Sequence, residues 1–370
     1  MDKKEVSEIR KAVTSYGIIS KLCGCYVNHE KKKLLVYKNL FAALEEREEN
    51  RYTAIIKKAL SGQIDGTLFN IDLVPAARGK RPEYELLKRL NDSGLEDDEL
   101  IDEFYDTVIA NFPYGENYLI LIINSSYDVP GKAEDGSVME DASDYMHRFI
   151  NAFICPVKLS KEGLFYNEDK NNIETRMTDW LVGDPLTAIM FPSFNERYTD
   201  DHELLLYLRK DNDAVSELLW GMLGCNMPFS AKKQRSIVTE LFDDTLSGKY
   251  DSATVNEIYG ELFRRSESEE EYNKILDKDE LKNILRDSGV AEEGISEFDK
   301  GYEERLEGNK KIPAENLINK KAVVIKTSGV EIKADTDIAE SIEERMIDGR
   351  KFLLVPVSEF IKINDVNTKV

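Results

Sequence analysis

Residues 118–123 read YLILII, six apolar side chains in succession inside the segment ENYLILIINSSYDVP of residues 116–130. Turn-forming residues bound the run on both sides, so it reads as a strand buried on both faces. Its partner is expected in HRFINAFICPVKLS, residues 147–160. Between them GKAEDGSVMEDASDYM, residues 131–146, is rich in Gly, Asp and Ser and reads as an exposed loop. Asp128, Glu134 and Asp135 offer oxygen ligands there, but without the regular spacing of a calcium loop an acidic hairpin loop is the better reading.

Other elements arrange themselves around this pair. Val6, Ile9 and Val13 recur at helical spacing, IISKLCGCYVNHEKKKLLVY suggests two strands around a polar turn, and residues 40–62 form a helix ended by Gly62. From DDHELLLYLR at residues 200–209 onward, successive segments show apolar residues three or four apart, with Ser230 and Ser252 where N-caps belong. After NKKIPAEN the pattern turns strand-rich, and IDGRKF carries an Asp-Gly pair between apolar runs, a strong hairpin signal. LLKRLNDSGL at 86–95 recurs as LKNILRDSGV at 281–290, two helices each stopped by glycine in a Schellman-type cap. The expected fold class is α+β: a mixed N-terminal half with an antiparallel-type sheet over residues 1–209, a helical region over 210–309, and a small β-rich part over 310–370 packed on the helical region.

Charge limits the partners. The formal net charge is -21, opposite to the footprint of a domain that coats DNA through its overall charge. Short basic clusters remain at Lys31 to Lys33, Arg78 to Arg81, Lys232 to Arg235, and Arg264 with Arg265. Four scattered cysteines, with no apolar run of membrane-spanning length and no secretory leader at the start, point to a reducing, cytoplasmic setting. Cys23 and Cys25 lie two apart in a strand, where both thiols face one layer as small apolar groups.

No phosphate loop, dinucleotide fingerprint, metalloprotease helix or nucleophile elbow is present, so no catalytic residue, metal or cofactor is assigned. Residues 171–201 stand out by combining Arg176, Asp179, Trp180, Phe191, Phe194 and Arg197 in an irregular run. Aromatic faces beside arginines suit bases, phosphates or protein hot spots, while core packing with local ion pairs is the plainer alternative.

Over the whole chain, GCYV, LILIINSSYDVP, ICPVKL, DWLVGDP, FPSFNER and IDGRKFLLVPV resemble an uncharacterised bacterial family of similar length, mostly from Firmicutes and known as a domain of unknown function. From about residue 117 to 365 the order of features resembles, more distantly, the bacterial nucleoid-associated protein family of the NdpA/YejK type. The features are Arg176, Asp179 and Trp180, then Phe194 and Arg197, Leu223 and Gly224, Ala231, Lys232 and Gln234, and finally Asp243 and Asp244. That second resemblance implies a non-enzymatic protein acting at the nucleoid, with Lys232, Lys233, Arg235, Arg197 and Arg176 as anion contacts and Phe194 beside them. Basic side chains in the first turn of a helix oppose its dipole, which makes the Lys232 turn a fair place for an external anion.

Three functions follow as expectations. The first acts at DNA through this local basic and aromatic surface, or through DNA-handling partners. The second is an acidic protein-interaction module, of stress or phage-defence type, marked by a large exposed apolar patch and by basic clusters scattered over different faces. The third is a metal-dependent hydrolase or nuclease using Asp179, Asp200 and Asp201. No membrane partner is expected, and an oligomer is compatible with the chain.

Overall fold

Ile120 and Ile122 of the apolar run point to one side of a sheet, and Leu119, Leu121 and Ile123 to the other. In this computed structural model the described residues are 1–15, 17–73, 82–132, 138–176, 178–209, 213–246, 248–306, 312–319, 323–327, 329–334, 342–357, 360–363 and 366–369. They divide into two compact units, Met1–Ser230 and Ala231–Val370.

The first unit runs α1 (Lys3–Ala12), β1 (Ile19–Val27), β2 (Lys33–Leu40), α2 (Glu46–Ala59), β3 (Leu68–Asp72), α3 (Pro82–Asp92), α4 (Asp98–Asn111), β4 (Tyr118–Lys132) and β5 (Val138–Leu159). It continues through β6 (Gly163–Asn167), β7 (Asn172–Arg176), β8 (Trp180–Val182), β9 (Thr187–Phe191), β10 (Ser193–Asn195), β11 (Tyr198–Asp200), β12 (Glu203–Leu208) and α5 (Asp213–Leu223). The main sheet has the order β2-β1-β4-β5-β9-β12-β3, with β8 added beside the end of β5. Neighbours in it are antiparallel.

Each face of this sheet carries helices. Cys23, Cys25, Ile120, Ile122, Ile150, Ile154, Leu204 and Leu206 form one core with α3, α4 and α5. Leu22, Leu119, Leu121, Phe149, Phe153, Cys155 and Leu205 form the other with α1 and α2. A strand buried on both sides must be apolar at every position, which is why its sequence does not alternate.

Several expectations change. The segment read as a long exposed loop is mostly strand, because β4 runs to Lys132 and β5 begins at Val138, with register shifts around Pro130 taking up the irregularity. Ser143 there donates to the Asp128 carboxylate, whereas Glu134 and Asp135 lie outside the described residues. DDHELLLYLR is not helical: Leu204–Leu208 form most of β12, buried against β3 and β9, and an apolar run of that length does not distinguish helix from buried strand. The two glycine stops also differ. Val290 N–H bonds the Leu285 carbonyl in a true Schellman closure, whereas Leu95 itself takes a left-handed φ of 59° and its N–H bonds Ser93 Oγ.

The second unit comprises α6 (Ala231–Leu246), α7 (Ser252–Ser266), α8 (Glu271–Lys274), β13 (Ile275–Leu276), α9 (Lys278–Asp287), α10 (Glu292–Arg305), β14 (Ile312–Pro313) and α11 (Ala314–Leu317). Three hairpins follow: β15 (Val323–Thr327) with β16 (Val330–Ala334), β17 (Glu343–Ile347) with β18 (Arg350–Leu354), and β19 (Phe360–Ile363) with β20 (Val366–Lys369). Phe242 of α6 stacks on Phe298 of α10, with ring centres 5.9 Å apart. Asp251, one residue before Ser252, is the N-cap of α7 and accepts from Thr254 N. The Asp-Gly signal holds: Asp348 and Gly349 have φ of 47° and 75°, the pair of left-handed residues that a two-residue hairpin turn uses.

Candidate functional site

The residues singled out by resemblance fall in both units. In the first, Phe194 and Arg197 belong to the β10–β11 hairpin, whose turn residues Glu196 and Arg197 have φ of 49° and 64°. Phe194 is completely buried, 5.0 Å from the His147 ring and 5.9 Å from Tyr127. Arg197 donates from Nη2 to the Pro130 carbonyl at 2.9 Å and pairs with Glu8 at 3.4 Å. Tyr127 donates to the same Glu8 carboxylate, and Tyr145 donates to the Arg197 carbonyl. The guanidinium therefore ties α1 and β4 to this turn, and Phe194 packs in the core between them. Arg176 ends β7, opposite Gly163.

In the second unit, Lys232 and Lys233 are exposed on the first turn of α6. Gln234 is buried and its Oε1 accepts from Asn316 Nδ2 at 2.9 Å, while Arg235 Nε donates to the Asn316 carbonyl at 2.9 Å. The Gln and Arg of this motif thus dock α11 on α6. Other basic clusters are partly neutralised: Lys32 pairs with Glu30, Lys33 with Asp102 and Asp106, Arg264 with Glu257 and Glu261, and Arg265 with Glu261 and Glu280. The cluster at Arg78 to Arg81 lies outside the described residues.

Among the described residues, one group has metal-ligand spacing: Asp200, Asp201 and His202, whose ligand atoms lie within 4.8 Å of one another. Lys88 already occupies Asp201 at 3.2 Å, and Asn195 Nδ2 donates to Asp200 at 2.8 Å. A cation there would displace an ammonium group. Asp179 sits on the connection to β8, where its N–H bonds Ser160 Oγ. Cys23 and Cys25 are both buried in one core, and burial pushes each thiol up to about 11, which keeps them protonated and inert.

The first unit also carries an open groove of about 1520 Å³ that no single motif announces. Tyr26, Leu35, Tyr37 and Asn39 from β1 and β2 form its floor with Leu119 and Val157. Arg47, Arg51 and Tyr52 of α2 make one wall, and Trp180, Leu181 and Val182 of β8 the other. Lys58 and Asp184 bridge the two walls at 3.7 Å. Gly24 shapes the floor: the Tyr37 ring lies so close above it that a side chain there would collide. The Tyr37 and Tyr52 hydroxyls meet at 3.2 Å, and burial with that bond pushes the Tyr37 hydroxyl up, so it stays protonated.

Beside the groove, β2 is the outermost strand of the sheet. Leu34, Leu35, Val36 and Leu40 are 53–60 % exposed, and Trp180 is 56 % exposed. Contiguous exposed apolar surface on an edge strand normally marks an interaction site. The sequence signal for it was the run of apolar residues in KLLVYKNL; what it lacked was any indication that the strand would lie at the edge.

The model of one protein family, Domain of unknown function (DUF4317), matches residues 1–366. The chain belongs to this family. No curated protein and no solved structure matches it. For this DUF4317 member the site must therefore be read from its own geometry, and no helix among its described residues is long and apolar enough to cross a membrane.

Proposed function

We propose that the protein is a protein-interaction module whose first unit docks a partner on the exposed face formed by β2 and the Trp180 groove. The observation that carries this reading is the edge strand itself, with apolar side chains exposed on both of its faces. Leaving such a strand bare invites non-specific pairing, and a specific partner is the usual reason to keep it. The reading of DNA contact rests on the nucleoid-family resemblance and on the exposed Lys232 and Lys233. It has less support, because Arg197 and Arg235 are engaged internally and Phe194 is buried.

The test is recovery of partners from cells with the wild-type chain and with a Leu35→Asp, Trp180→Ala variant. A protein recovered with the first and lost with the second supports the docking face. Identical recovery with both overturns it. Recovery of nucleic acid that falls as salt rises, and that is weakened by Lys232→Ala with Lys233→Ala, would favour the nucleoid reading instead.

A further inference from the structure

The chemistry of the groove narrows the partner. We propose that β2 accepts an extended acidic segment of another protein as an added strand, whose apolar side chains flank Leu35 and Tyr37 at the β2 end of the groove and whose carboxylates meet Arg47 and Arg51. This inference rests on the reading of the first unit as a docking face and adds the identity of what docks.

Three observations converge on it. First, β2 pairs with β1 alone, so half of its N–H and C=O groups point away from the sheet, and among the described residues none of these has a main-chain partner. Only another peptide backbone can satisfy such a row in register. Second, the groove is larger than the roughly 300–1,000 Å³ of an ordinary small-molecule site, and its floor takes every second residue of β2 (Leu35, Tyr37, Asn39). An added strand presents its own side chains to that face with the same period.

Third, Arg47 and Arg51 stand one helical turn apart on the wall of the groove, both exposed and neither in an ion pair among the described residues. Nearby cations are matched: Lys33 by Asp102 and Asp106, Lys38 by Asp98, and Lys58 by Asp184. Glu48 and Asp184 are the acids of the groove lining, and Asp184 is engaged by Lys58 at 3.7 Å, which leaves Glu48 against the two guanidiniums. Arginine forks bind carboxylates two bonds at a time, so the free pair selects an acidic ligand. A second copy of the chain docked through the same face would bring the same cations against themselves. A nucleic acid would satisfy the guanidiniums but not the main chain of β2 or its leucines.

The experiment uses the full chain and follows the fluorescence anisotropy of probes that carry a dye at one end. The probes are terminally blocked peptides with alternating Val and Tyr at every second position and Glu, Lys or Ser at the others, the Glu peptide with alternate amides N-methylated, and a thymidine oligonucleotide. The expected result is a rise in anisotropy with the Glu peptide, with binding about tenfold weaker after Arg47→Ala or Arg51→Ala and abolished by N-methylation. Both arginines are exposed, and unchanged thermal melting confirms that their variants stay folded. Equal or tighter binding of the Lys or Ser peptide overturns the acidic assignment while the docking face stands. Binding that survives N-methylation overturns strand addition. A response to the oligonucleotide alone, or a dimer in sedimentation that Leu35→Asp disperses, overturns the acidic partner outright. Silence from all peptides overturns the inference, and the docking face then stands or falls on the recovery experiment.

Discussion

Tyr37 lies across Gly24 of the neighbouring strand so closely that a Cβ on Gly24 would fall 2.2 Å from the ring carbon Cζ. Glycine here is a matter of space, since the backbone is ordinary extended strand. Gly24→Val is expected to expel the ring, break the Tyr37–Tyr52 contact and cost about 1–3 kcal/mol through overpacking. Denaturant unfolding of wild type and variant measures it, and an unchanged midpoint would mean the ring moves aside freely. Tyr52→Phe, which removes only the hydroxyl, is expected to cost about 1 kcal/mol.

The β10–β11 turn should respond in opposite directions at adjacent positions. Glu196 is exposed with φ of 49°, so Glu196→Gly relieves a left-handed residue and is expected to stabilise by about 0.5–1 kcal/mol. Arg197→Ala keeps the strained backbone, removes the donor to the Pro130 carbonyl and leaves Glu8 with Tyr127 alone of its two described side-chain donors, and is expected to destabilise by about 1–3 kcal/mol. Thermal melts of the two single variants decide this; a shift of both in the same direction would contradict it.

His147 makes stability depend on pH. The ring is wholly buried between Phe149 and Phe194, its Nδ1 lies 2.8 Å from Thr199 Oγ1, and burial pushes its pKa down from 6.5 to about 3. The unfolded chain takes up a proton near pH 6.5 and the folded chain does not. This group's contribution is therefore complete above that pH and is lost as pH falls from about 6.5 toward 3, by up to about 1.4 kcal/mol per unit. Carboxylates held low, such as Asp299 beside Lys282 and Lys278, lose their contribution only at lower pH. The slope between pH 6.5 and 5 should shrink in His147→Gln, and a slope that persists unchanged would assign it to other groups.

The AKKQR motif should separate into supporting and surface positions. Gln234→Ala takes one buried acceptor from the Asn316 amide and is expected to cost about 1–3 kcal/mol, whereas Lys232→Ala should stay within about 0.5 kcal/mol of wild type. Binding of duplex DNA across a salt series, with Lys232→Ala and Lys233→Ala alongside, is expected to show no salt-dependent complex; a steep salt slope lost in the variants would reverse that expectation.

Thiol labelling offers a simple check of the core. Cys23, Cys25 and Cys155 are buried, with Cys155 pushed up to about 12 by that burial, so in the folded chain Cys225 should alkylate first. Peptide mapping after brief iodoacetamide treatment reads the order, and early labelling of Cys23 would mean that β1 opens.

Local pattern was enough to place much of the fold. The apolar run at 118–123, its partner strand, the shared face of Cys23 and Cys25 and the Asp348–Gly349 turn depend on side-chain period or φ preference within a few residues, and sequence carries these directly. The same logic failed for LLLYL, because a strand covered on both faces loses its alternation. What the polar and aromatic motifs do was decided by distant residues: Gln234 meets Asn316 across 82 positions, and Arg197 meets Glu8 across 189. Nothing within FPSFNER or AKKQR distinguishes an arginine awaiting an anion from one already holding a carboxylate or carbonyl. The groove is a tertiary product in the same sense, since β2 became an open edge only through the strand order, and Arg47, Tyr37 and Trp180 come together from three separate elements. Period is a property of neighbours in the chain, whereas exposure depends on every element that packs nearby, and that is settled only when the whole unit folds.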